Sequence, residues 1–128
     1  MDYLVNNDCP PADASPAALP LYRWCATQPL VGDDFRTAEE EGTYVRKNPC
    51  NRKSVSVMSD RDEAIHYIGL FPWKNYRYVA VAELDAEHGP VKHTPGKVPS
   101  HTSWWPQGLN PIDRAALFRV DYGVHDAV

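Results

Sequence analysis

The sequence predicts a small, loop-rich α+β domain, and three observations predict it. The chain has 128 residues, 43% of them apolar, enough for one core and too few for two. Short alternating runs of apolar and polar residues mark strands, and they are interrupted by capped segments with helical spacing. Twelve prolines against seven glycines add extended and looped chain, because proline fixes φ and removes a backbone donor. The expected architecture is a central, mostly antiparallel sheet of about five or six strands with two or three short helices.

Residues 1–19 mix Asp, Asn, Ala, Ser and Pro without periodicity and read as an extended or loosely packed leader. Residues 20–128 read as a single globular domain. Its first strand is Leu-Tyr-Arg-Trp-Cys-Ala over 21–26, with Leu21, Arg23 and Cys25 on one face and Tyr22 and Trp24 on the other. Residues 35–42 follow as a short helical turn stopped at Gly42, with Glu39, Glu40 and Glu41 as a solvated face. Arg46, Lys47, Arg52 and Lys53 form the one basic cluster of the chain, and such clusters are ordinarily solvated.

The strongest local signal spans 54–69. Ser54, Ser56, Val55 and Val57 alternate as a strand, and Ser59 reads as the N-cap of a helix with Ala64, Ile65 and Ile68 at helical spacing before Gly69. Residues 77–85 read as the best strand of the chain. The stretch 86–111 reads as irregular, long for an idle connection, and 115–122 reads as the last strand.

Composition excludes several functions. A net charge of −4 from 13 basic and 17 acidic residues repels a phosphate backbone, which argues against a nucleic-acid partner. No run approaches the roughly 20 apolar residues of a membrane helix, and the first residues lack a basic start followed by an apolar stretch. Cys9, Cys25 and Cys50 are odd in number and widely spaced, so neither a disulfide framework nor a zinc knuckle is expected, and a reducing, cytoplasmic setting fits. His88, His93 and His101 match no standard ligand spacing, and no metal is expected. Cys25 can be paired on paper with any histidine, but nothing marks it as activated. No nucleophile elbow and no glycine-rich phosphate loop is present.

One arrangement carries chemistry. Arg23 stands in the first aromatic strand, Ser54-Val-Ser56 forms a strand running into a helix, and 77–85 leads into a long proline-containing loop. In this the chain resembles the ADP-ribosyltransferase-like fold, in its compact NAD-using form, over roughly residues 20–122. The resemblance implies that Arg23, Ser56 and His101 are catalytic, and that Arg23, Ser54, Tyr67 and Trp104 hold NAD. An arginine fork grips pyrophosphate or ribose, a small hydroxyl bonds the ribose or carboxamide, and an aromatic ring stacks on nicotinamide.

Members of the family usually add a carboxylate that steadies the cationic sugar. Here the corresponding region, 98–106, has none before Asp113. Three readings follow: His101 substitutes, an acid comes from elsewhere, or the shape persists without transferase chemistry. The rival reading is a non-enzymatic acidic interaction protein of inhibitor, immunity or adaptor type. It would bind a basic protein partner through an aromatic patch of Trp73, Tyr76, Trp104 and Trp105.

Overall fold

The computed structural model describes residues 9–18, 20–42, 49–70 and 75–124. Among them, seven strands form one sheet and three α-helices pack around it. The strands are β1 (Ser15–Pro16), β2 (Pro20–Cys25), β3 (Val55–Met58), β4 (Tyr78–Glu83), β5 (Pro90–His93), β6 (His101–Trp104) and β7 (Arg119–Gly123). Their order across the sheet is β1-β5-β6-β3-β2-β4-β7, and every neighbouring pair is antiparallel. The α+β class and the antiparallel sheet agree with the sequence, with slightly more strands than expected. No helix among the described residues is long and apolar enough to cross a membrane.

Strand alternation gives the sheet two apolar faces. On one, Leu21, Cys25, Val55, Val57, Ala80, Ala82 and Trp104 close over Phe35 and Phe118. On the other, Met58 and Val79 pack against Ala64 and Ile68 of helix α2 (Arg61–Ile68), with Tyr22 and Trp24 alongside. Because a central strand is covered on both faces, β4 reads Tyr-Val-Ala-Val-Ala, with Val79, Ala80, Val81 and Ala82 all buried.

Local chemistry explains the helices. Helix α1 (Ala38–Glu41) carries a full capping box between Thr37 and Glu40, and Gly42 ends it at φ 76°. Helix α2 is capped by Asp60, which accepts from the Glu63 amide. The expected cap, Ser59, lies one residue earlier and bonds the Ser100 carbonyl instead, its amide donating over 3.1 Å.

Two further expectations are corrected. The stretch 86–111 contains a hairpin, β5–β6, in which Val91 faces Trp104 and His93 faces Thr102. Gly89 makes its approach possible: φ is 111°, and a Cβ there would collide with the Trp105 carbonyl. Residues 115–117 belong not to a strand but to helix α3 (Pro111–Leu117), where Asn110 and Asp113 form a capping box and proline occupies the first turn. β7 starts only at Arg119.

Glu40 is not simply solvated. It pairs with the buried Arg114, whose guanidinium donates to Glu40 Oε1 over 2.6 Å and Oε2 over 3.1 Å, and to the Phe35 and Leu109 carbonyls at 2.9 Å each. This fork ties α1 to α3 across 74 residues.

The described part of the leader turns at residues 11–14 and is anchored to the sheet. Ser15 and Pro16 pair with β5, and Ala17 is buried in the core. Cys9 and Cys50 form a disulfide across 41 residues, overturning the expectation of none. Such a separation has no signature in the sequence, and the bond removes the ground on which a reducing setting was expected. Trp105 donates its indole N–H to the Cys50 carbonyl over 2.9 Å, locking the bridge to the end of β6.

Closing a loop of this size restricts the unfolded chain, so Cys50→Ser should lower the unfolding free energy by about 3–4 kcal/mol, read as a shift of the urea midpoint. The same shift should follow reduction of the wild type. The Glu40 carboxyl is held below the usual carboxylate range, chiefly by its hydrogen bonds from Arg114. A depressed folded-state pKa contributes stability above the unfolded value and loses it as pH falls toward the folded one. Glu40→Gln should therefore lower the urea midpoint at pH 7 and flatten its decline between the ordinary glutamate range and more acid solution.

Candidate functional site

The site begins where β2 and β3 part. The two strands share a single bridging pair, Tyr22 with Met58, although β2 runs on to Cys25 and β3 starts at Val55. Arg23 fills the gap that opens. Its Nε donates to the Asp34 carbonyl over 2.7 Å and its Nη1 to the Ser56 carbonyl over 2.6 Å. Its guanidinium carbon lies 5.6 Å from the centre of the Phe35 ring, a cation–π contact. Carbonyl oxygens satisfy donors without cancelling charge, and among the described residues no carboxylate pairs with Arg23. Half-buried, it is a fixed cation.

A cavity of about 190 Å³ opens beside it, lined by Arg23, Trp24, Ser56, Met58, Tyr76, Val98 and His101. Trp24 and Tyr76 form its aromatic wall, ring centres 5.7 Å apart and planes tilted by 41°. The Trp24 indole N–H donates to the Ala64 carbonyl over 2.9 Å, fixing the wall to α2. Because β2 and β3 diverge, the cavity takes side chains from both faces of β2, Arg23 from one and Trp24 from the other.

His101 closes the opposite side. Its Nδ1 lies 2.8 Å from the Thr94 carbonyl and 3.0 Å from Thr94 Oγ1, which is itself 2.8 Å from Ser103 Oγ. β6 is set against β3 with Met58 facing His101 and Ser56 facing Ser103, so Ser56, His101 and Ser103 share a face.

Three predicted site residues, Arg23, Ser56 and His101, thus meet in one cavity. The other three do not line it. Ser54 is buried and donates its hydroxyl to the Asn51 carbonyl over 2.7 Å. Trp104 is 0% exposed on the opposite face, with its N–H on the His88 carbonyl and its ring 6.0 Å from Phe118. Tyr67 belongs to the α2 cluster with Trp24 and Tyr76, its ring edge-on to His66.

The aromatic patch of the rival reading does not form as expected, since Trp104 and Trp105 are both core residues; Trp73 lies outside the described residues, as do Arg46 and Lys47 of the basic cluster. Trp24, Tyr76 and Thr94 are the site residues that sequence reasoning missed. Alternation places Trp24 away from Arg23, and only the strand divergence reunites them.

The histidines of the 86–111 stretch do not gather into one cluster. The three histidines serve separate links: His88 Nδ1 accepts from the Asp85 amide, His93 Nε2 lies 2.7 Å from the Pro99 carbonyl, and His101 bonds Thr94. Among the described residues no three His, Cys, Asp or Glu side chains converge on a metal position. A larger hollow of about 310 Å³, against β1 and β5, includes Leu21, Val91, His93 and Thr102 in its lining and, among the described residues, neither Arg, Lys nor a carboxylate. Comparisons with protein-family models, with curated proteins and with solved structures find no match.

Cys25 is fully buried, and burial pushes its thiol up to about 12 against a smaller opposing effect of Arg23. A thiol that cannot ionise is not a nucleophile. Cys25 should resist a water-soluble disulfide reagent at pH 8 in the folded protein and react promptly in denaturant, which absorbance of the released chromophore would report.

Proposed function

We propose that this chain is an ADP-ribosyltransferase-like domain that binds NAD at the cleft between β2 and β3 and breaks the bond between nicotinamide and ribose. The observation that carries the reading is the pinned Arg23 guanidinium, paired with no carboxylate among the described residues and opening onto an aromatic-walled cavity that also holds Ser56 and His101. A fixed cation without an ion-paired carboxylate among the described residues favours an anionic ligand, and a guanidinium fork suits the pyrophosphate of a dinucleotide.

The cavity is smaller than the roughly 300 Å³ at which small-molecule sites begin. It takes one flat ring, with the rest of the ligand lying across Arg23 at the mouth. Trp24 and Tyr76 offer that ring a π-face, favourable for a cationic pyridinium, and the Ser56 hydroxyl is at hand for a ribose hydroxyl or the carboxamide. Cleavage then depends on orientation, since the ring leaves neutral and the sugar passes through a cation that the site must hold in place. Among the described residues no carboxylate lines the cavity, and of the three readings of the missing acid, substitution by His101 is the one we adopt.

Calorimetric titration with NAD tests this. The wild type should bind, and Arg23→Gln should weaken binding ~10- to 100-fold, as expected for loss of a hydrogen bond to a charged group. An unchanged far-ultraviolet spectrum and cooperative melting would show that the variant is folded. Nicotinamide should accumulate in the wild-type sample. No heat of binding from folded wild-type protein would end the reading.

A further inference from the structure

A second hollow lies behind the first. Alternation along the chain gives Met58 and His101 to the Arg23 cavity and their neighbours Ser59 and Thr102 to the hollow of about 310 Å³. Its apolar surface comes from Leu21 of β2 and Val91 of β5, and from Pro16 and Ala18 of the leader.

Both walls are held by contacts outside the hollow. The leader is tied down by the Cys9–Cys50 bridge, by the pairing of Ser15 with Val91 and by an ion pair between Asp13 and Lys92 over 3.0 Å. Ala17, between the two apolar leader residues of the lining, is buried in the core. The facing wall is gathered by the Ser100 carbonyl, which accepts from the Ser59 amide over 3.1 Å and from Thr102 Oγ1 over 3.0 Å. A hollow framed in this way exists before a ligand arrives, as small-molecule sites generally do. Its volume is about twice the ~150 Å³ that takes up one benzene ring, so two fused rings fit its size.

The polar groups of the lining set the chemistry of the occupant. Thr102 has one hydroxyl proton, and the Ser100 carbonyl takes it, so the oxygen has only lone pairs left to offer. Ser59 Oγ lies 3.5 Å from the same carbonyl, a longer contact of the same sense. His93 Nε2 lies 2.7 Å from the Pro99 carbonyl. A carbonyl oxygen only accepts, so the ring proton sits on Nε2 and the neutral imidazole keeps its lone pair on Nδ1. These residues have committed their donors to the backbone and retain acceptors. Displacing water from an acceptor without replacing its donor is costly, so a ligand that fills the hollow has to bring a donor of its own. A net charge on that ligand would have to leave water for the surface of Leu21, Val91, Pro16 and Ala18.

We propose that this hollow is a second binding site, for a small neutral molecule of about two fused rings, apolar over most of its surface and carrying one N–H or O–H donor, which Thr102 Oγ1 and His93 Nδ1 receive. The Arg23 cavity calls for different chemistry, since its guanidinium suits an anionic group. The two sites can therefore be filled and read separately.

Indole and benzofuran form the test pair, because they share size and shape while an acceptor oxygen in benzofuran replaces the N–H of indole. Methyl NMR of the full chain should show saturable shifts at Leu21 and Val91 on addition of indole. Benzofuran should bind about 10-fold more weakly, as for loss of a hydrogen bond. Thr102→Val combined with His93→Phe should weaken indole by about 10-fold and narrow its advantage over benzofuran. Ala18→Trp, at an exposed position, puts a ring into the hollow and should abolish the binding of both probes while cooperative melting is retained. Arg23→Gln should leave both affinities unchanged.

No saturable shift at Leu21 or Val91 up to the solubility of indole would overturn the site. Equal affinity of the folded wild type for indole and benzofuran would overturn its assigned chemistry. Indole binding that survives in folded Ala18→Trp and is lost in Arg23→Gln would put the probe in the other cavity and refute the proposal as well.

Discussion

The parting of β2 from β3, with Arg23 wedged into it, is the constraint on which the site depends. Two strands that bridge at only one pair would leave backbone carbonyls without donors in a half-buried gap, and each such group is costly to leave unsatisfied. Arg23 supplies the donors, one nitrogen to the Asp34 carbonyl and one to that of Ser56. Its charge is supported by the Phe35 ring. Structural need and chemical opportunity coincide in this residue, since the interactions that fill the gap also hold a cation, unpaired with any carboxylate among the described residues, at the edge of a cavity.

The two faces of the sheet divide the work. The face carrying Leu21, Val55, Val57 and Trp104 is closed by Phe35 and Phe118, whose rings are 4.9 Å apart. Phe35 is held in turn by the neighbouring fork, because Arg114 takes its carbonyl while reaching Glu40. The other face is covered by α2, and there Trp24, Tyr76 and Met58 are shared between core and cavity. Side chains with such double duty keep the cavity's shape through packing, without requiring a mobile lid. The Cys9–Cys50 bridge and the Trp105 indole hold the first described residues beside the end of β6, so the hairpin carrying Thr94 and His101 is braced at its base.

Much of the fold was legible because its signals are local. The aromatic strand at 21–26, the alternating strand before α2 and the apolar strand at 77–85 all announce themselves by spacing, and Gly42 by its role as a stop. The Asn110, Pro111 and Asp113 cap is equally local, but the apolar residues 115–118 that follow it also suit a strand. The hairpin at 90–104 was hidden for another reason: its strands are only four residues each, are bordered by prolines, and depend on a glycine squeezed against Trp105. Its pairing is a property of the assembled sheet.

For the site, the residue types were readable and their partners were not. Arg23 and Ser56 stand out as polar groups on predicted strands and His101 as one in the stretch expected to be irregular, and they do converge. Ser54 and Trp104 carry the same kind of signal, yet one caps a turn and the other fills the core. Strand parity could not distinguish them, since it says which residues share a face and not which face will be covered.

The sequence by itself determined the α+β class, the strands with strong alternation and the identities of the reactive side chains, because these follow from spacing and composition along the chain. Only the tertiary structure decided the disulfide between Cys9 and Cys50, the union of Trp24 with Arg23 across a divergent strand pair, and the hydrogen bonding of His101 Nδ1 to Thr94. Each of these depends on groups distant in sequence or on the direction of a backbone carbonyl, and neither is written in the order of residues.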